Sequence, residues 1–367
     1  MSVTTSERQR ATPTTDRPHA DAAAGLAGEA QRVYADVFAM LPDENHPTPL
    51  VRINRMNPAE HFTLFAKLEW MNPFGSVKDR AAWEMIRDLE ERGELTAGVR
   101  DAEGRVTGGR GIVEPTSGNT GLSLAAMASV RGYSMRAVVP QKVPAEKRAL
   151  VRFAGAEVDV INDQMCPSPG MGEGSIGIAR SYAKAQRDRY VMPNQYENDL
   201  NAKAHERTTG PEIWRQTAGR VTHVFVSLGT SGTATGLGRF FRARREQSGS
   251  DRAVKVIAVQ PSEGHDVPGL RNRSELHVTR LFDESLIDEI IEIPFELAYQ
   301  RAAELARVEG LMAGPSSGLI YEGARRVLER DASTFTEQTP GVGVAIFCDN
   351  AFKYVSSFGR HLPALAD

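Results

Sequence analysis

One lysine, Lys78, lies where its amine could act as a nucleophile. It follows a Pro- and Gly-containing turn in the segment 72–80, directly after the apolar run 62–70. Ser76 is placed to cap a helix that begins near Lys78. The positive end of a helix dipole and partial burial both disfavour the ammonium form. Lysines that form Schiff bases need that property, and the alternative is a solvated lysine after a turn.

A loop rich in small polar residues, 115–121 (PTSGNTG), lies between a strand-like and a helix-like stretch. Backbone N–H groups and the helix dipole converge at such a junction, so anionic ligands bind there. Thr116, Ser117 and Thr120 add hydroxyl donors. We therefore expect this loop to bind a carboxylate, although a plain capped helix start is the alternative.

A second glycine-rich loop, 229–236 (GTSGTATG), also follows a strand and precedes a helical pattern. Glycines let the backbone N–H groups surround a phosphate, but the endings typical of P-loops and dinucleotide folds are absent from this loop. That combination indicates a cofactor such as pyridoxal phosphate. In a third loop, 313–318, Ser316 could face a ring nitrogen, but taken alone it is better explained as a helix N-cap.

The elements that must position these residues alternate between short apolar strands and longer helical patterns. We predict strands at 62–68, 111–114, 135–139, 157–161, 221–227, 254–260 and 344–348. The polar segment 100–110 is expected to be a surface turn or hairpin, and 163–174 an irregular loop. Such alternation predicts a mostly parallel sheet with helices on both faces.

The bulk composition is that of an ordinary globular protein. The 367 residues carry 44 Lys and Arg against 47 Asp and Glu, so no basic surplus favours nucleic acid as a partner. No apolar run reaches the roughly 20 residues that span a bilayer, so we expect a cytoplasmic protein without membrane contact. Cys166 and Cys348 lack metal-ligand spacing, so we predict reduced thiols and no metal site.

Together, Lys78 and the three loops closely resemble the fold-type II pyridoxal phosphate enzymes. Among these the resemblance is to the cysteine synthase and cystathionine β-synthase family, over about residues 47–358, and especially to members that use O-phosphoserine. It implies an α/β fold of the tryptophan synthase β type, with two open, twisted, mostly parallel sheets and helices on both faces. It also implies a homodimer.

The expected organisation combines this resemblance with the residue patterns. We predict a disordered tail (1–21), an N-terminal helix (22–45), an N-terminal domain (46–195) whose subdomain at about 87–195 moves with the substrate carboxylate, and a C-terminal domain (196–367) that binds the cofactor phosphate.

The resemblance also assigns roles to site residues. Lys78 would bind pyridoxal 5'-phosphate covalently and later move a proton. Further cofactor-binding residues would be Asn119 at the phenolic oxygen, Gly229, Thr230, Ser231, Gly232 and Thr233 at the phosphate, and Ser316 at the pyridine nitrogen. Residues at the substrate carboxylate would be Thr116, Ser117, Asn119, Thr120 and Gln195. Ser231 stands where the family usually has glycine.

The implied reaction is β-replacement on an O-activated L-serine, O-phospho-L-serine or O-acetyl-L-serine, through an aminoacrylate intermediate. A sulfur nucleophile would then give L-cysteine or an analogue. The segment 264–273 looks like that of O-phosphoserine users, which makes Arg271 a candidate for the leaving phosphate. The alternative for Arg271 is a solvated surface arginine.

Several alternatives share the same cofactor chemistry. A serine or threonine dehydratase or a cysteine desulfhydrase would stop at β-elimination. The nucleophile could be sulfide, thiosulfate, a thiocarboxylated sulfur-carrier protein, homocysteine or an amine. A non-catalytic binding protein on the same scaffold is a different class, against which the intact Lys78 argues.

Overall fold

The strands form two main sheets in the computed structural model, which describes residues 33–162, 174–248 and 253–365. They are β1 (Leu50–Arg52), β2 (Phe62–Leu68), β3 (Val99–Arg100), β4 (Val106–Thr107), β5 (Gly111–Pro115), β6 (Met135–Pro140), β7 (Glu157–Ile161), β8 (Tyr190–Val191), β9 (His223–Ser227), β10 (Lys255–Pro261), β11 (Glu289–Ile293) and β12 (Gly341–Phe347). The large sheet has the order β1-β2-β12-β9-β10-β11 and the small one β7-β6-β5-β8. Only β1 is antiparallel to its neighbour in these sheets.

Helices follow most of these strands. They are α1 (Lys78–Glu91), α2 (Asn119–Arg131), α3 (Ala145–Phe153), α4 (Ser175–Ala185), α5 (Leu200–Ala204), α6 (Gly210–Gln216), α7 (Gly232–Ser248), α8 (Glu296–Val308), α9 (Pro315–Arg330) and α10 (Val355–His361). A π-helical segment, His205–Thr209, joins α5 to α6. In the described ranges, no helix is both long and apolar enough to cross a membrane.

Both faces of the large sheet are buried. Successive side chains of a strand point to opposite faces, and in β9 Phe225 packs into one apolar cluster while Val224 and Val226 pack into another. A strand buried on both faces is typical of a parallel sheet covered by two helix layers. The α/β class predicted from the sequence is therefore confirmed.

The predicted strands are all present, with ends shifted by a few residues. Strands β3 and β4 form the hairpin expected within 100–110. This hairpin begins at Val99, one residue before the predicted start. The sequence reading missed the short strands β1 and β8 and also β11, whose side chains are mostly only half-buried. As an edge strand it alternates weakly and contains two glutamates, so its pattern resembles that of a solvated loop.

The N-terminal helix predicted over 22–45 is wrong for its described part. Residues 33–45 contain only one short 3₁₀ turn, Phe38–Met40. The Asp36 carboxylate accepts from the backbone N–H groups of Phe38 and Ala39, which offers the chain an alternative to the helical ladder. The tail 1–21, residues 22–32 and most of the loop 163–174 lie outside the described residues.

The predicted domain borders stay a prediction, but the sheets show which segments belong together. Residues 42–367 form one compact unit. In it β1 and β2 join the large sheet through β12, whereas the small sheet contains only strands from 111–191. Because β2, β9, β10 and β12 are parallel, the loops after them emerge at one edge of the large sheet, which is where α/β proteins bind ligands.

Candidate active site

A cleft lies at the carboxyl ends of the parallel strands of the large sheet, and its empty space is about 870 Å³ when the open solvent at its mouth is included. Its lining contains every predicted site residue except Thr116 and Gly232: Lys78, Ser117, Asn119, Thr120, Gln195, Gly229, Thr230, Ser231, Thr233, Arg271 and Ser316. Residues that sequence reasoning did not place there also line it, among them Lys147, Tyr196, Cys348 and Tyr354. The structure thus brings the lysine and all three loops to one site.

Lys78 is the first residue of α1, as the sequence predicts. The hydroxyl of Ser76 accepts a hydrogen bond of 3.3 Å from the Lys78 backbone N–H. Burial lowers the pKa of the Lys78 amine, and the nearby Cys348 and Asp349 only partly oppose this. The neutral amine needed for nucleophilic or proton-transfer chemistry is therefore accessible.

Cys348 is a free thiol beside Lys78. Burial raises the pKa of this thiol to about 11, so it is protonated at neutral pH. Cys166, the other cysteine, lies outside the described residues. The prediction of reduced thiols therefore has support only at Cys348.

The loop before α7 has the geometry of a phosphate cradle. Ser231 adopts a left-handed backbone with φ of 68°, a conformation that glycine adopts without strain. Its buried hydroxyl oxygen has no hydrogen-bond partner within the part of the chain that the structure describes. An orphaned hydroxyl at a helix N-terminus fits a phosphate, which supplies several acceptor oxygens.

Two glycines of the predicted phosphate loop are required by close approaches. A Cβ atom on Gly229 would lie 2.6 Å from the carbonyl oxygen of Gly269. Gly232 does not line the cleft, because it packs against Asn201, whose side-chain Oδ1 would lie only 2.2 Å from an added Cβ. The Asn201 amide in turn donates a 3.0 Å hydrogen bond to the Thr230 hydroxyl. Asn201 therefore fixes the conformation of the phosphate loop from the side away from the cleft.

The loop 115–121, predicted to bind a carboxylate and called the carboxylate loop below, differs from the prediction in the position of the Thr116 side chain. This side chain is buried beneath the loop, where its hydroxyl accepts from the backbone N–H groups of Gly118 (3.1 Å) and Gly121 (2.9 Å). It shapes the loop and does not face the cleft. Thr120 donates a 2.6 Å hydrogen bond to Gln195, whose amide donates to the Pro115 carbonyl at 3.0 Å.

Glu114, which the sequence reading missed, holds the backbone of Gln195, the residue that bonds to Thr120. Its buried carboxylate accepts from the backbone N–H groups of Asn194 and Gln195, both at 2.9 Å. Asn194 has a left-handed φ of 60°. Burial raises the pKa of Glu114 to about 7, against the effect of these hydrogen bonds. An acid directly before the 115–121 loop was the signal that could have found it.

Asn119 is anchored by residues that follow β12. Its amide donates a 2.6 Å hydrogen bond to Asp349 Oδ2, which also accepts from the Tyr354 hydroxyl at 2.6 Å. Lys353 Nζ donates to the Gly75 carbonyl at 2.7 Å and to Asn119 Oδ1 at 3.4 Å. The amide plane of Asn119 is therefore fixed, with its second N–H group free to donate to a ligand.

Ser316 and Arg271 complete the cleft. Gly314, and not Ser316, is the N-cap residue of α9, and the Ser316 side chain is a lining group. Arg271 is 4 % exposed, so it is not the solvated surface arginine of the alternative interpretation. Its guanidinium lies 5.4 Å from the Tyr196 ring centroid, and among the described residues its buried Nη1 has no hydrogen-bond partner.

A buried charge network supports the start of α1. Arg80, two residues after Lys78, donates to Glu69 at 2.7 Å and to Glu212 at 2.8 Å. Lys67 forms an ion pair of 2.8 Å with Glu212. Two cations thus face two anions with every charge paired, as burial requires. The network ties α1 to β2 and α6 and so fixes the position of Lys78.

Comparison with known proteins agrees with this geometry. Residues 41–349 match the model of a family described as pyridoxal-phosphate dependent enzyme. The chain is 39% identical to cysteine synthase B of Salmonella typhimurium over 311 residues, covering 84% of this chain and 92% of that protein. It is 40% identical to cysteine synthase B of Escherichia coli over 310 residues, with the same coverage.

Two solved structures share the fold. A mutant O-ureido-L-serine synthase with bound O-ureido-L-serine has a TM-score of 0.74 and 30% identity over 89% of this chain and 93% of its own. A hydrogen sulfide-producing enzyme from Fusobacterium nucleatum has a TM-score of 0.73 and 26% identity over 88% and 99%. The chain therefore belongs to the fold-type II pyridoxal-phosphate-dependent enzymes and is of the cysteine synthase type.

Proposed function

We propose that this enzyme makes L-cysteine from O-phospho-L-serine and a sulfur nucleophile, with hydrosulfide as the simplest donor. The C–O bond to the phosphate breaks and a C–S bond forms at the same carbon, so inorganic phosphate leaves and no oxidant or reductant is needed. The cofactor, when bound, supplies an electron-withdrawing ring that stabilises negative charge at the substrate α-carbon.

The residues of the chain would divide the remaining work. Lys78 would bind the cofactor and, as a neutral amine, take the α-proton and later return it. Ser117 and Thr120 would bind the substrate carboxylate, and Asn119 would donate to the phenolic oxygen of the ring. The hydroxyl of Ser316 would face the ring nitrogen.

Arg271 is the residue that favours O-phosphoserine over O-acetylserine as the amino-acid substrate in this proposal. Among the described residues no carboxylate forms an ion pair with it, and its acidic neighbour Glu275 accepts instead from His265 (3.2 Å) and the Asn272 N–H (2.7 Å). A buried guanidinium whose Nη1 has no acceptor is costly, so it favours a substrate that brings an anionic acceptor. The phosphate of O-phosphoserine is dianionic and can accept two N–H donors, whereas an acetyl ester is neutral.

The test compares kcat/KM for O-phospho-L-serine and O-acetyl-L-serine in the wild type, Arg271→Met and Arg273→Met. Arg273 is the matched control, because it is exposed and paired with Glu284 at 2.8 Å. We expect wild type to prefer O-phosphoserine and Arg271→Met to lose roughly 100-fold with that donor only. A wild-type preference for O-acetylserine, or an equal loss in both arginine variants, would refute the donor assignment.

β-Elimination is the second candidate, because one structural relative is a hydrogen sulfide-producing enzyme. The two functions differ in whether the amino group stays on the product, because β-elimination ends in pyruvate and ammonia whereas β-replacement gives an amino acid. Pyruvate released from O-phosphoserine without a nucleophile should stay below a few per cent of the cysteine formed when hydrosulfide is present. Pyruvate release at the full rate would favour elimination. We also expect a homodimer, which light scattering of the purified holoenzyme can test.

A further inference from the structure

Lys147 is a buried cation of the cleft to which the preceding sections give no role. It lies on α3 and is 4 % exposed, and it lines the cleft beside Ser117, Asn119 and Thr120. Its aliphatic stem packs on the carboxylate loop, since a Cβ atom on Gly118 would lie 2.8 Å from Lys147 Cδ. The side chain is thus pressed against the loop that would hold the amino-acid substrate.

No carboxylate in residues 33–162, 174–248 or 253–365 forms an ion pair with Lys147. Its ammonium lies 3.8 Å from the Tyr354 ring centroid, a cation–π contact. The charged groups that face it are Asp349, Lys353 and Glu146. Of these acids, Asp349 already accepts from Asn119 and Tyr354.

Among the residues that the structure describes, Lys147 has no carboxylate to itself. It shares the electrostatic influence of Asp349 with Lys353, which also faces Asp79. Glu146 points elsewhere, because its carboxylate accepts from the Ser356 hydroxyl at 2.6 Å and the Ser356 N–H at 3.2 Å. A buried ammonium without an ion pair of its own favours an anionic ligand.

We propose that Lys147 is a further substrate-binding residue whose ammonium recognises the α-carboxylate of the amino-acid substrate at the 115–121 loop. Hydroxyl and N–H groups of that loop provide direction, and Lys147 adds a full positive charge. The inference rests on the proposed function for the identity of the substrate class, an α-amino acid.

A purely structural role makes a different prediction. Two contacts link α3 to the segment around α10: the cation–π contact between Lys147 and Tyr354 and the hydrogen bond between Glu146 and Ser356. If Lys147 acted only as such a link, loss of the neighbouring Glu146–Ser356 contact would have a comparable effect. Ser356→Ala removes the 2.6 Å hydroxyl hydrogen bond of that contact without changing any charge, so it is the matched control.

The experiment uses the cofactor-loaded full chain as wild type, Lys147→Met, Lys147→Arg and Ser356→Ala. Each is titrated with L-alanine and with L-alaninamide, which lacks the carboxylate, while the absorbance of the bound cofactor is followed. We expect Lys147→Met to weaken L-alanine binding about 10- to 100-fold and L-alaninamide binding less than threefold. Lys147→Arg and Ser356→Ala should stay close to wild type for both ligands.

Cofactor content and the urea midpoint of each variant are recorded alongside. If Lys147→Met fails to fold, Lys147→Gln replaces it with the same expected result. Unchanged L-alanine binding, an equal loss for the amide, or an equal loss in Ser356→Ala would overturn the inference. A raised KM for hydrosulfide with unchanged L-alanine binding would also overturn it, by assigning Lys147 to the sulfur donor. L-alanine binding involves no turnover, so failure of the proposed cysteine synthesis would be seen separately, as absent cysteine formation by wild type.

Discussion

Asn119 and Asp349, which are 230 positions apart in sequence, are joined by a 2.6 Å hydrogen bond across the cleft floor. Asn119 begins α2, which follows strand β5 of the small sheet, and Asp349 follows the central strand β12 of the large sheet. Asp349 also accepts from Tyr354. The Asp349 carboxylate therefore fixes both the Asn119 amide, proposed to bind the cofactor, and the Tyr354 ring, against which the Lys147 ammonium packs.

Replacement of this carboxylate should destabilise the protein in proportion to the donors it leaves unpaired. Asp349→Ala leaves Asn119 and Tyr354 without their acceptor, so we expect a loss of about 2 to 4 kcal/mol of unfolding free energy. Tyr354→Phe removes one of the two hydrogen bonds and should cost about 1 kcal/mol. Urea unfolding of the cofactor-free proteins measures both, and equal losses would contradict the shared-acceptor interpretation.

The carboxylate of Glu114 should give substrate binding a pH dependence. Above its pKa of about 7 the carboxylate accepts hydrogen bonds from the backbone N–H groups of Asn194 and Gln195. The protonated form accepts them more weakly. We expect the KM for the amino acid to rise roughly three- to tenfold between about pH 8 and pH 6. Glu114→Gln should flatten this profile, and an unchanged inflection in that variant would assign it to another group.

Glu114 has the opposite influence on folding stability. Because burial raises its folded pKa above the usual glutamate value of 4.5, the folded state binds the proton more tightly than the unfolded chain. Its contribution to stability is complete below about pH 4.5 and is lost as the pH rises to about 7. The pH dependence of the unfolding free energy should therefore differ between wild type and Glu114→Gln within this window.

The buried network beneath α1 should be sensitive to the loss of a single charge. Glu212→Gln leaves Arg80 and Lys67 without a shared anion, and we expect a loss of about 3 kcal/mol or more. Glu91→Gln is the matched control, because Glu91 is exposed and pairs with the exposed Arg87 at 3.4 Å on α1, so its loss should cost less than about 0.5 kcal/mol. Similar urea midpoints for the two variants would contradict the proposed support of Lys78.

Sequence reasoning found the residues that lie in loops with distinctive composition. Lys78, the 115–121 loop and the 229–233 loop could be located because glycine, proline and hydroxyl residues follow apolar strands. The parallel order of strands then brings their carboxyl ends to one edge. For that reason the fold class and most of the cleft lining could be predicted.

The supporting residues could not be found in this way. Lys147 and Asp349 are single charges in ordinary stretches, and their function depends on contacts that link residues up to 230 positions apart. Thr116 shows the same limit, since its type suits a carboxylate but its hydroxyl binds the loop backbone. Composition indicates which residues can do chemistry, and the packing decides which of them face the ligand.

The central claim is that Lys78 binds the cofactor covalently, although Lys147 and Lys353 are also buried near the cleft with lowered pKa values. Borohydride reduction of the holoenzyme, followed by proteolysis and mass spectrometry, identifies the lysine that carries the reduced cofactor. We predict that the modified peptide contains Lys78 and that Lys78→Ala protein shows no modified lysine. A cofactor found on Lys147, Lys353 or any other lysine of the wild type would contradict the account.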